Sequence, residues 1–194
     1  MLREKLSNYN IILASGSPRR QNFFQQLDVP FSIQIKEVEE IYPEHLKAAE
    51  ITDYLADLKS KVFTDLQEND LLITSDTIVW FEGKAIGKPV DKEDAFFMLK
   101  AMSGKSHEVY TSVSIKSKSF QHIFNDKTLV EFEILSDEEI LYYLENYKPF
   151  DKAGSYGIQD WIGLIGVKKI EGSYFNVMGL PVHKLYKELI KISV

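Results

Sequence analysis

The chain has 194 residues, enough for one sizeable domain or two small lobes sharing a core, with 44% hydrophobic and 27% charged residues, ordinary proportions for a globular protein. Its formal net charge of −6 argues against a broad nucleic-acid surface, so a polyanion site has to be a local basic patch on an acidic protein. It contains no cysteine, which excludes disulfides and thiolate catalysis. No apolar run approaches membrane-spanning length and the first ten residues lack a signal-like core, so a cytoplasmic enzyme or binding protein is expected.

In chain order, Tyr9–Ala14 reads as a strand and Pro18–Leu27 as a helix. Between them lies Ser15-Gly16-Ser17-Pro18-Arg19-Arg20, with small residues at the strand end and two cations in the first helical turn. Free N–H groups at a helix start attract anions, and arginine forks suit phosphate oxygens. The positive helix end disfavours those cations, a conflict that an outside anion would resolve. The segment is either a phosphate-binding turn or a solvated basic helix start.

Phe31–Ile35 reads as a second strand and residues 36–48 as an acidic loop carrying Glu37, Glu39, Glu40 and Glu44, one of which can serve a metal. Residues 49–66 carry helical periodicity through Ile51, Leu55, Leu58, Val62 and Leu66. Lys59 shares a largely apolar row of that helix, as a snorkelling lysine or one that reaches a phosphate. Leu71–Phe81 is β-rich, and Asp76 interrupts it where aspartate is normally depleted. A carboxylate in that position needs a cation, a metal or N–H donors, unless it merely ends the strand. Functionally it can orient Mg²⁺ or take a proton from water.

Glu82-Gly83-Lys84 predicts a turn into a short Ala85-Ile86 strand, and Lys88 follows in Gly87-Lys88-Pro89, a lysine suited to phosphate or an exposed turn. Asp91–Met102 reads as a helix. Val109, Thr111, Val113 and Ile115 share one face of a strand; Thr128, Val130, Phe132 and Ile134 share a face of the next, in a long hairpin. Ser136 with Glu139 fits a capping box opening a helix to about Tyr147. Asp151–Gln159 is a glycine-containing loop whose small residues would let a ligand come close to the backbone. The amide of Gln159 can pair with N3–H and O4 of uracil or thymine. Trp161–Ile170 reads as a strand and Val182–Ile190 as a C-terminal helix. His45, His107, His122 and His183 show no metal-ligand spacing. The irregular alternation of strands and helices predicts an α/β fold with a mixed sheet.

Leu13–Arg20, Leu55-Ala56 with Lys59, Asp76–Val79, Lys88-Pro89, Met98-Leu99 with Ser103-Gly104, His107 and Thr111, Asp151–Gly154 with Tyr156–Gln159, and Gly172–Tyr174 with Asn176-Val177 and Gly179–Pro181 form an ordered set running from residue 11 to about residue 185. This set resembles the Maf family of nucleoside triphosphate pyrophosphatases. The resemblance implies one domain over residues 1–194 with the inosine triphosphate pyrophosphatase-like fold: an elongated mixed sheet in two lobes, flanking helices and an active cleft between the lobes. It implies hydrolysis of a nucleoside triphosphate to the monophosphate and pyrophosphate with Mg²⁺ or Mn²⁺, and often a homodimer.

Matched residue by residue, Asp76 corresponds to the family's proton acceptor. Arg19, Thr77 and Gln159 correspond to positions linked to substrate choice, and Arg20, Lys59 and Lys88 to its positive cleft residues. Ser15 and Ser17 belong to the phosphate turn, and Glu40 matches a cleft carboxylate that joins Asp76 as a metal ligand. The glutamine loop resembles the branch acting on dTTP and UTP. Alternatives are the 7-methyl-GTP branch and a non-catalytic nucleotide-binding regulator of cell division. Asp28 and Asp160 stand where the family commonly has glycine.

Overall fold

The computed structural model describes residues 1–192. Its elements run α1 (Leu2–Lys5), β1 (Asn10–Leu13), α2 (Pro18–Gln26), β2 (Ser32–Ile33), α3 (Ala49–Lys61), β3 (Asp70–Phe81), β4 (Lys84–Ile86) and α4 (Lys92–Met102). They continue with β5 (Ser106–Lys116), β6 (Gln121–Phe132), α5 (Asp137–Tyr147), a 3₁₀ turn (Ala153–Ser155), α6 (Trp161–Gly166), β7 (Val167–Glu171), α7 (Tyr174–Val177) and α8 (Val182–Ile192). The strands form a seven-stranded sheet in the order β2-β1-β3-β5-β6-β7, with β4 on β3. Parallel β1–β2 and β1–β3 pairs and antiparallel β3–β4 and β6–β7 pairs make it the expected mixed sheet.

The chain divides into two compact units. The first takes Met1–Asp76, Thr111–Asp126 and the chain from Gly179; the second takes Thr77–Tyr110 and Lys127–Met178. In the first, Ile12, Phe63 and Leu72 are buried together with Ala14, Val62 and Leu66 against them. In the second, Val79, Leu99, Met102, Val130, Phe132 and Tyr143 belong to one larger core.

Local chemistry explains most boundaries. Pro18 occupies the first position of α2, where its missing N–H costs nothing. Asp91 caps α4 by accepting from the Asp94 N–H at 2.8 Å. At α5 the expected capping box is present: Glu139 N–H donates to Ser136 Oγ at 3.2 Å and Ser136 N–H to Glu139 at 2.7 Å. Asp28 takes a left-handed conformation (φ 54°) just after α2, the place where glycine is usual, and its carboxylate accepts from Arg3 at 2.9 Å.

Four expectations are corrected. The predicted 49–66 helix stops at Lys61. Val62, Thr64 and Asp65 are weak helix formers, and the apolar residues that continued its period, Val62 and Leu66, pack instead with Phe63 on β1 and β3. The predicted strand at Phe31–Ile35 reduces to Ser32–Ile33. The predicted 161–170 strand is helical up to Gly166 and extended only from Val167. A short apolar run does not distinguish the two states, and Gly163 lets the turn close over the Ile158 carbonyl, which a Cβ there would overlap. Ile134 does not share the buried face of β6: the strand ends at Phe132, and Ile134 is 84% exposed. Beyond that end, Glu133 N–H donates to the Gly166 carbonyl and Leu135 N–H to Ser103 Oγ, so the backbone has left the ladder.

Candidate active site

The first unit assembles a charged cluster from residues far apart in sequence. Lys59, on the last turns of α3, donates to Asp76 Oδ1 at 2.7 Å and lies 2.9 Å from Glu40 Oε1. Asp76, in the middle of β3, is only 6% exposed. Burial pushes its carboxyl above the ordinary carboxylate value; the Lys59 charge and hydrogen bond, and the Arg20 charge, pull it back, while Glu40 adds to the rise. All four members of the acidic stretch, Glu37, Glu39, Glu40 and Glu44, are exposed, and Glu40 is the one that reaches Lys59. Lys59 is therefore an ion-paired lysine with its head turned to carboxylates, not a snorkelling one.

The Ser-Gly-Ser-Pro-Arg-Arg turn is built around Ser15. Its buried hydroxyl accepts from the Ser17 N–H at 3.2 Å, and its carbonyl accepts from the Gln21 amide at 3.2 Å. The Arg20 guanidinium donates to the Gly179 carbonyl at 2.8 Å, to the Ser75 carbonyl at 3.1 Å and to Ser15 Oγ at 3.4 Å. Burial pushes Arg20 down to about 10, Asp76 and Glu40 oppose that fall, and Arg19 adds to it. The conflict with the helix dipole is thus eased by the protein's own carbonyls and carboxylates. Arg19 and Ser17 are half-buried at the same turn.

Two carboxylates on one ammonium are hard oxygen donors. Mg²⁺ is ordinarily held by one or two carboxylates with substrate phosphates and water completing its shell. Asp76 and Glu40 fit such an ion; among the described residues no group of three His, Asp or Glu side chains is placed to hold one unaided.

In the second unit Thr77 follows Asp76 on β3 and is half-buried, and Lys88 is exposed on the loop after β4. The Gly87 carbonyl accepts from the Gly154 N–H at 3.0 Å, so the loop bearing Lys88 is tied to the one leading to Gln159. Gly154 (φ 66°) is small for packing reasons: a Cβ there would come within 2.9 Å of Val79 and 3.4 Å of Met102. Ser155, also left-handed (φ 58°), is fully buried beside it.

Gln159 is exposed and donates its amide to Asp160 Oδ1 at 3.1 Å. Asp160 Oδ2 in turn accepts from Tyr143 at 2.8 Å, and the Tyr143 oxygen accepts the Gly157 N–H at 3.0 Å. Tyr143 gives no signal in the sequence beyond its place on the apolar row of α5; Asp160 is visible there only as an unexpected carboxylate. His107 packs between Phe132 and Tyr156, its Nε2 2.7 Å from the Tyr156 oxygen. Burial pushes it down to about 4, which leaves it uncharged at neutral pH.

The sequence profile of the family described as Maf-like protein matches residues 10–192. A Flavobacterium johnsoniae protein named dTTP/UTP pyrophosphatase is 60% identical over 97% of this chain and 98% of its own. One of the same name from Bacteroides thetaiotaomicron is 49% identical over 96% and 98%. Among solved structures, the Ham1 protein of Staphylococcus aureus superposes with a TM-score of 0.54 over 94% of this chain and 99% of its own, at 14% identity, a likeness of fold alone. No helix among the described residues is long and apolar enough to cross a membrane. With a profile match over nearly all of its length and relatives of this identity, the chain belongs to the Maf-like protein family.

Proposed function

We propose that this chain hydrolyses pyrimidine nucleoside triphosphates, dTTP and UTP foremost, to the monophosphate and pyrophosphate. The observation that carries the reading is Asp76, a buried carboxylate made more basic than usual and held against Lys59 with Glu40 on the same ammonium. The names of the relatives support the substrate class.

In the proposed reaction a water oxygen forms a bond to the α-phosphorus, the bond from that phosphorus to the α–β bridging oxygen breaks, and pyrophosphate leaves with the electron pair. Asp76 takes the water proton. The triphosphate is highly anionic, so the larger demand is positioning and charge neutralisation. Arg19, Arg20, Lys59 and Lys88 meet it, with Ser15 and Ser17 shaping the turn. Phosphate oxygens can claim the Lys59 ammonium, which frees Asp76 and Glu40. A divalent ion held by those two carboxylates would add charge neutralisation and make a bound water more acidic. Thr77 and Gln159 are assigned to substrate choice, Gln159 by pairing with N3–H and O4 of the base. A neutral amide suits neutral uracil or thymine, whereas cationic 7-methylguanine favours a carboxylate.

Purified protein with Mg²⁺ or Mn²⁺ against a nucleotide panel tests this. Pyrophosphate release from dTTP and UTP, abolished by a chelator, is expected. Selective release from 7-methyl-GTP, or binding without release, overturns it. The proposal includes a homodimer, for which light scattering would read twice the 22.4 kDa of one chain.

A further inference from the structure

We propose that Asp160 is a positioning residue that fixes which way round Gln159 presents its amide, and so makes the chain choose uracil and thymine over cytosine. This rests on the reading above that Gln159 contacts the base.

Asp160 stands at the N-cap of α6, yet its carboxylate accepts no hydrogen bond from that helix. Both oxygens are directed elsewhere. Oδ2 accepts the Tyr143 hydroxyl at 2.8 Å and Oδ1 accepts the Gln159 amide nitrogen at 3.1 Å. The clamp is rigid at its base. Tyr143 is fully buried on α5, its ring stacks on Tyr147 at 5.3 Å, and its oxygen accepts the Gly157 N–H at 3.0 Å. Burial first, and the bond to Asp160 second, push the Tyr143 hydroxyl well above its ordinary value, so its proton stays in place to be donated.

A second, independent feature makes room for the arrangement. A Cβ on Gly157 would come within 2.5 Å of Asp160 Oδ2 and 2.7 Å of the Gln159 amide nitrogen. Any side chain at residue 157 would therefore displace the pair. Gly157 matters here because the Asp160 and Gln159 side chains fold back over it.

The chemical consequence concerns the order of donor and acceptor. A carboxylate offers acceptors only, so the NH₂ end of Gln159 must face it; turning the amide over would set one oxygen against another. One amide hydrogen goes to Asp160. The second hydrogen and the carbonyl oxygen remain for the base, in fixed order. Uracil and thymine present an N3–H donor beside the O4 acceptor, whereas cytosine presents an N3 acceptor beside an N4 amino donor. A freely turning glutamine pairs with either edge; a held one pairs with the first and opposes the second.

The test compares kcat/KM for UTP and CTP in the wild type, Gln159→Ala, Asp160→Asn and Tyr143→Phe, with thermal melts on each. The wild type is expected to favour UTP. In Asp160→Asn the asparagine can turn either its oxygen or its nitrogen to Gln159. The UTP/CTP ratio should then fall about tenfold, the scale of one hydrogen bond to a charged group, through a gain on CTP. Loss of structure alone would not produce such a gain. Tyr143→Phe removes the clamp while leaving the carboxylate, so its ratio should fall in the same direction, and it serves as the test if Asp160→Asn fails to fold. A ratio that falls in Gln159→Ala but stays unchanged in Asp160→Asn and Tyr143→Phe overturns the proposal and leaves the base reading standing. A ratio unchanged in Gln159→Ala, or a wild type without UTP preference, overturns both.

Discussion

Asp76 is the residue on which the chemistry turns. It costs the fold something to bury a carboxylate in a β-favouring run, and Lys59 offsets that cost without restoring the ordinary proton affinity. The proposal predicts that Asp76→Asn lowers turnover by about 10²–10⁴-fold, the usual worth of a positioned base. It also predicts a pH signature. A base works deprotonated, and burial raises the pH at which Asp76 loses its proton. The acid limb of kcat/KM that reports this proton should therefore vanish in Asp76→Asn. A pH–rate profile checks both; near-normal turnover in the variant, or an acid limb that persists in it unchanged, would remove Asp76 from the role. Arg20 carries a different lesson. Its donors serve the carbonyls of Ser75 and Gly179 as well as the charge cluster, so its loss would disturb the first unit along with any phosphate grip.

At the scale of elements, the glycine-containing loop before Gln159 is shaped by its neighbours in the second unit. Gly154 is left-handed, and a Cβ there would press on the β-branched Val79, which cannot swing aside as a long side chain would. Gly154→Ala is expected to destabilise by about 1–3 kcal/mol, from overpacking and the positive φ together. Thermal denaturation measures this, and an unchanged midpoint would contradict the packing account. What could be read from sequence follows the range of the interaction. The α5 capping box needs only Ser136 and Glu139, three residues apart, and it was legible. The α6–β7 boundary was not, because it falls inside the apolar run Trp161–Val167, interrupted only by glycines, and the close approach of Gly163 to Ile158 appears only in three dimensions. Lys59 read as a snorkelling side chain or a phosphate ligand for the same reason: its partner Asp76 lies 17 residues on, in another element. Asp160 was conspicuous as a charge, but its partner Tyr143 was hidden among core residues of α5.

At the scale of the whole molecule, the strands β3, β5 and β6 pass from one compact unit into the other; most residues of β3 and β5 are buried, whereas β6 buries Thr128, Val130 and Phe132. Buried Ser112 and Ser114 alternate with Val113 and Ile115 on β5, so both faces of that strand are covered. The mixed sheet was legible in the irregular alternation of strands and helices along the chain; the short β2 was overestimated because only two of its residues pair. The motifs that mark the family are spread over both units, and no single segment carries them all. Hydrolysis of UTP by the purified chain in ¹⁸O-labelled water decides whether water attacks the α-phosphorus of the nucleotide. The label is expected to enter uridine monophosphate while pyrophosphate stays unlabelled; label in pyrophosphate, or release of inorganic phosphate in place of pyrophosphate, would rule out attack at that atom.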